Sequence, residues 1–184
     1  MPAAPARYSA LQITIHWLTA IIVIGMIAAG LTMTRLGPGP TTNLLYELHK
    51  TFGIIVFGLV ILRIALRLTR GAPPVVDTIP PWQRIAARGS HLALYALLVL
   101  VPLVGWIATS TCCAPVNLFW TIPVTLPFYG GMEASKPIFL VHRVLGFSLA
   151  GLLLLHAGAA LHHHYVIKDD TLRKMLPGGR RAGS

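Results

Sequence analysis

The sequence predicts an all-α integral membrane protein, a bundle of four helices that cross the bilayer. Four apolar runs are each long enough to span a hydrocarbon core, which takes about 20 residues of helix. The 184 residues are 55% hydrophobic and only 11% charged, with a mean hydropathy of +0.71. The charges that do occur flank the runs rather than interrupt them. The length is one domain's worth, taken as residues 1–184. A net charge of +10 raises the question of a nucleic-acid partner. No basic stripe alternates with aromatic platforms, so that class is set aside and membrane lipid is the expected surroundings.

Span one covers about Leu11 to Met33, with His16 about a turn and a half inside. Its apolar core is too long for a signal peptide and meets no small-residue cleavage site, so an uncleaved span is expected. Arg35-Leu36-Gly37-Pro38-Gly39-Pro40 then breaks the chain. Span two runs from about Leu45 to Leu68, with His49 near its start and Arg63 and Arg67 on one face near its end. A proline-rich, then basic, stretch over 70–90 leads to span three, about His91 to Ser110, which contains Pro102. Residues 111–137 hold Pro115, Pro123, Pro127 and Pro137 among Phe119, Trp120, Phe128 and Tyr129. Prolines preclude another regular span there, and aromatics suit the membrane interface, so this segment is expected to cap the bundle. Span four is Ile138 to Tyr165.

Basic residues set the expected orientation. With the N-terminus inside, Arg7, Arg63, Arg67, Arg70, Arg84, Arg88, Lys168, Arg173, Lys174, Arg180 and Arg181 face the cytoplasm, eleven of the fifteen Lys and Arg. Arg35, Lys50, Lys136 and Arg143 remain outside. The positive-inside rule therefore places both termini in the cytoplasm.

Ionisable groups inside a span are costly and mark function by default. His142 and His156 in span four are fourteen residues apart, which puts both rings on nearly one face and about 21 Å apart along the axis. With the orientation above, His49 and His142 enter from the outer side at similar depth. His16 lies about 9 Å in from the cytoplasm and His156 about 13 Å. Four histidines thus fall into two depth-matched pairs, His49 with His142 and His16 with His156. Two imidazoles facing each other at each of two levels suggest two stacked haems, because neutral imidazole is a standard axial ligand of haem iron.

His49-Lys50-Thr51-Phe52-Gly53 and His142-Arg143-Val144-Leu145-Gly146 share the form H-[K/R]-x-[F/L]-G. The glycine one turn deeper on the same face either lets a flat macrocycle approach or serves helix packing. Lys50 and Arg143 either pair with haem propionates at the outer edge or contact lipid phosphate. Arg63 and Arg67 are the corresponding candidates for the inner haem. His163, seven residues after His156, returns to the same face and can orient a quinone or carry its protons; otherwise it joins His162 and His164 in an interfacial cluster. His91 begins span three at the inner surface, where a plain interfacial residue is the simpler reading. Cys112 and Cys113 are adjacent on the outer side; neighbouring Cα atoms are closer than the usual disulfide span, so free thiols or a bridge to another chain compete with a vicinal bond. No C-x-x-C-H pattern for covalent haem attachment is present.

These stretches resemble the bacterial cytochrome b561 family, specifically its small four-helix di-haem members that act as superoxide:quinone oxidoreductases. The likeness runs from Tyr8 to Trp17, through His49 to Gly53, Arg63 to Leu68 with Pro73-Pro74, His91 to Leu98 and His142 to Gly146. It continues through His156-Ala157, His163-His164-Tyr165 and Lys168 to Leu172, to Met175-Leu176-Pro177. The resemblance implies two haem b groups ligated by His16, His49, His142 and His156. It implies a bacterial inner-membrane location, superoxide as electron donor at the outer haem, and ubiquinone as acceptor near His163 or His91. The outer segment departs most from the family, with Cys112-Cys113 and only Lys136 for positive charge. Two other readings compete. One is an electron-conducting subunit taking electrons from a periplasmic dehydrogenase or hydrogenase as redox partner. The other is a haem-free, histidine-lined metal or proton transporter, although transporter sites tend to lie at the midplane.

Overall fold

The computed structural model describes residues 7–73, 80–112 and 115–178. Four helices dominate it: α1 (Ala10–Met33), α2 (Pro40–Arg70), α3 (Pro81–Cys112) and α4 (Gly131–His162), each long and apolar enough to cross a membrane. Between α3 and α4 lies a two-stranded antiparallel ribbon, β1 (Asn117–Leu118) and β2 (Ile122–Pro123). After α4 come a π-helical turn, His163–Ile167, and a 3-10 turn, Arg173–Met175.

α1 begins where Ser9 and Gln12 close a capping box: the Gln12 N–H donates to Ser9 Oγ (3.3 Å) and the Ser9 N–H to Gln12 Oε1 (3.0 Å). α2 begins at Pro40 rather than Leu45, and α3 at Pro81 rather than His91. The prolines that look like breakers in the sequence sit at first helical positions, where a missing N–H costs nothing. α4 begins at Gly131 rather than Ile138 and runs through Pro137, whose lost hydrogen bond falls near the helix start. The cap is therefore shorter than 111–137, and it is built on a ribbon. Arg180, Arg181, Cys113 and Pro74 lie outside the described residues.

The helices pack as sequential neighbours, α1 on α2, α2 on α3 and α3 on α4; among the described residues α4 makes no extended backbone contact with α1 or α2. The buried layer is thin: Val23, Val56, Val60, Leu94, Leu98 and Leu149, with Ile27, Ile64 and Leu152 against it. Large apolar side chains point outward instead, among them Ile21, Ile24, Leu68, Leu154 and Leu155. In lipid this costs nothing, because acyl chains are as apolar as the side chains they replace.

One end of the bundle gathers the start of α1, the end of α2 and the C-terminal tail. Gln12 Nε2 donates to the Gly71 carbonyl (3.1 Å) and Trp17 Nε1 to the Met175 carbonyl (2.7 Å). We call this the tail face and the opposite end the cap face. The cap is fastened to both helices beneath it. Lys50 Nζ donates to the Pro115 carbonyl (3.2 Å), the Phe119 N–H to Thr51 Oγ1 (3.3 Å), and Trp106 Nε1 to the Val124 carbonyl (2.7 Å). The ribbon turns through Phe119 and Trp120, both at positive φ (46° and 64°). Cys112, at the end of α3, is disulfide-bonded, so it is not the free thiol that its spacing allowed.

Candidate functional site: two histidine groups at opposite ends of the bundle

At the cap face, His49 of α2 and His142 of α4 face each other with ring centroids 6.1 Å apart and planes at 83°. An iron held about 2 Å from one nitrogen of each imidazole sets the two ring centres about 6 Å apart. The spacing fits. So does the tautomer. His142 Nδ1 lies 2.9 Å from the Val101 carbonyl, an oxygen that can only accept. The proton therefore sits on Nδ1 and leaves the Nε2 lone pair for a metal. His49 Nδ1 is buried with no hydrogen-bond partner of good geometry.

Two glycines lie against these rings. A Cβ on Gly105 would stand 2.8 Å from His142 Cε1 and Nδ1, and one on Gly30 would stand 3.3 Å from His49 Cε1. Neither was singled out in the sequence, where a glycine in an apolar span reads as ordinary helix packing. Gly53 faces Met26 at 3.7 Å and Gly146 faces open space, so neither glycine of the H-[K/R]-x-[F/L]-G repeat meets a histidine.

The tail-face group is larger than one pair. His91 of α3 and His156 of α4 have ring centroids 5.4 Å apart at 63°. His16 of α1 is held by Arg63, whose Nη2 lies 2.9 Å from His16 Nδ1. A guanidinium only donates, so Nδ1 is the acceptor there. Arg63 and Arg67 both lie over the Tyr95 ring, at 5.5 and 5.9 Å. Tyr8, Gln12, Arg63, Leu66, Arg67, Tyr95 and Met175 line a cleft of about 30 Å³ beside them. His91 is thus inside the histidine cluster rather than a plain surface residue. Its position near the start of the span expected from sequence hid this: α3 begins ten residues earlier than expected and carries His91 inward.

Lys50 is ion-paired with Glu47 (2.5 Å) and Lys136 with Glu133 (2.5 Å). Arg143 is exposed. His163 opens the π-helical turn, and its Nδ1 lies 2.6 Å from Asp169 Oδ2. Asp169 Oδ1 also accepts the Thr171 N–H at 2.8 Å. Burial works against the charge on Asp169, but the hydrogen bonds from His163 and Thr171 outweigh it and hold the carboxyl below its ordinary range. Lys168, in the left-handed region at φ 61°, makes the sharp bend that returns Asp169 to His163.

Comparison with known proteins agrees with this layout. The chain is 35% identical over 175 residues to "Cytochrome b561 homolog 2" of Escherichia coli (strain K12), covering 94% of this chain and 92% of the relative. It is 33% identical over 172 residues to "Cytochrome b561 homolog 1" of the same organism, with 93% and 97% covered. It is 29% identical over 174 residues to "Probable superoxide oxidase CybB" of Yersinia pestis, with 95% and 98% covered. The sequence profile described as prokaryotic cytochrome b561 matches residues 7–178. Four membrane-crossing helices, histidines facing each other at two levels and a match along nearly the whole chain have one explanation: this is a multi-pass membrane electron-transfer protein of the prokaryotic cytochrome b561 family, whose cofactor is b-type haem.

Proposed function

We propose that the chain holds two haem b groups and passes electrons from superoxide at the cap face to ubiquinone at the tail face. The observation that carries this reading is the His49–His142 pair, spaced for one iron and with the His142 lone pair free. His16 and His156 are the proposed ligands at the other level, with His91 beside them; a neutral His16 whose Nδ1 accepts from Arg63 carries its proton on Nε2, so it would bind iron only once that proton leaves or Arg63 turns away. Bound haem supplies reversible one-electron chemistry on iron, which the side chains of this protein lack. The protein supplies the rest: ligands, spacing, charge and a proton path.

Superoxide is an anion, and positive charge near the cap raises its encounter rate. Carboxylates offset Lys50 and Lys136, so among the described residues Arg35 and Arg143 carry the steering charge of that face. Lys50, whose ammonium already donates to Glu47 and to the Pro115 carbonyl, has one N–H left for a propionate; Arg143 is the more exposed candidate. At the tail face, Arg63 and Arg67 are the propionate candidates. His163, fixed by Asp169, is the proposed proton donor to a quinone carbonyl, with His91 as a second polar contact. The balance is two superoxide, one quinone and two protons giving two dioxygen and one quinol. The basic tail face would lie in the cytoplasm and the cap face outside the bacterial inner membrane. The name of the Yersinia pestis relative supports the choice of donor.

The test is superoxide-dependent ubiquinone reduction by purified, haem-loaded protein. A rate above the dismutation control is expected. No such rate would favour a second reading, an electron-conducting subunit for a periplasmic dehydrogenase or hydrogenase, for which the exposed Phe119, Trp120 and Tyr129 of the cap would form the docking surface.

A further inference from the structure

We infer that the turn of α3 from Val101 to Gly105 is a built seat for His142, with the Val101 carbonyl and Gly105 acting as positioning residues for the cap-face centre. The inference rests on the reading of His142 as an axial ligand. It adds that the ligand is pre-set by a neighbouring helix rather than by its own.

Two constraints act on the same edge of the ring. The Val101 carbonyl takes the Nδ1 proton at 2.9 Å, which fixes both the tautomer and the rotation of the imidazole. Gly105, one turn further along α3, provides the space. A Cβ there would lie 2.8 Å from Cε1 and Nδ1 and 3.6 Å from Cγ. Non-bonded carbons sit at about 3.5–4.0 Å, so a methyl group demands a shift of several tenths of an ångström. The atoms it meets are the hydrogen-bonded edge of a ring rather than the loose end of a flexible chain. Either the ring withdraws and the Val101 bond breaks, or α3 and α4 part.

The other ring has a looser seat of the same kind. His49 Nδ1 approaches the Met26 carbonyl, one turn before Gly30, without a hydrogen bond of good geometry, and a Cβ on Gly30 would have more room, 3.3 Å to Cε1. His142 is therefore the more tightly fixed ring of the pair. A hydrogen bond to the second ring nitrogen also makes the imidazole a stronger donor to iron. The seat thus sets the electronic character of the centre as well as its place.

The experiment is a mutant cycle of Gly105→Ala, His142→Ala and the double variant, with Gly58→Ala as a control because a Cβ there meets nothing within 4 Å. Haem per folded chain and the low-spin electron paramagnetic resonance signals are read on purified protein. Gly58→Ala should match the unaltered chain, and His142→Ala should lose about one haem. Gly105→Ala should lose that same haem, or keep it with a displaced resonance. In the His142→Ala background, Gly105→Ala should change nothing further, since the ring it collides with is gone. If Gly105→Ala alone fails to accumulate while the double variant folds, the seat is supported. Native haem content and resonance in Gly105→Ala would overturn it. So would equal damage in both backgrounds, which would make Gly105 a helix-packing residue. If His142→Ala keeps its full haem complement, the ligand assignment fails instead, and the seat with it.

Discussion

Replacing Asp169 tests whether the C-terminal tail is held at the bundle by one carboxylate. Its two oxygens accept from His163 Nδ1 at 2.6 Å and from the Thr171 N–H at 2.8 Å, and its side chain is only 7% exposed. Hydrogen bonds to a charged group contribute about 1.5–3 kcal/mol each. Asp169→Asn keeps the shape and the Thr171 bond but loses the charge, so a loss of about 1.5 kcal/mol is expected, roughly tenfold in the tail-opening equilibrium. Asp169→Ala leaves both donors without an acceptor and should cost about 3 kcal/mol, on the order of a hundredfold. Local opening of this kind is read by limited trypsin digestion under native conditions, following cleavage after Lys168. The global melting temperature should move less than the cleavage rate. The pH dependence has a definite sign. A carboxyl held below its ordinary value of 3.8 contributes stability that is complete above that value and is lost as the pH falls through the lower folded value. Asp169→Asn should abolish that acid-induced loosening of the tail. Wild-type cleavage rates in Asp169→Ala would refute the account, because they would mean that the Trp17–Met175 bond alone holds the tail.

Other outcomes follow from the same geometry. His49→Ala should lose about one haem with the tail-face spectrum intact, measured by haem quantification and reduced-minus-oxidised absorbance. Thr51→Val removes the acceptor for the Phe119 N–H and should loosen the cap by about 1 kcal/mol, seen as faster amide exchange over 115–124. Trp120→Gly should have the opposite effect: relieving a non-glycine residue at φ 64° stabilises the ribbon by about 1 kcal/mol, with slower exchange in the same segment. Arg63→Leu should release His16 Nδ1 and change the tail-face haem signal while leaving the cap-face signal in place, read by the same spectra.

Much of this arrangement was legible in the sequence because membrane helices obey simple arithmetic. A rise of about 1.5 Å and a turn of about 100° per residue place His49 and His142 at one level, and the structure has them facing each other. What could not be read were features decided by a neighbouring helix. The partner of a glycine is invisible to a single run of residues, so Gly30 and Gly105 looked like any others in an apolar span. His91 reads as a surface residue in the sequence because its depth depends on where α3 begins, and Pro81 marks a start where the sequence suggests a break. The β ribbon was missed for a different reason: its turn uses Phe119 and Trp120 at positive φ, positions that sequence patterns reserve for Asn and Gly.

The facing histidine pairs at both levels draw one member from α4: His142 meets His49, and His156 meets His91. Among the described residues, α4 is also the helix that makes no extended backbone contact with α1 or α2. On the ribosome it is the last of the four to emerge, so neither facing pair can form before α4 is made. A nascent chain stalled before Gly131 would offer porphyrin no complete grip at either end. On the proposed ligation, pigment capture would wait for α4, and chains that stop before it would stay colourless.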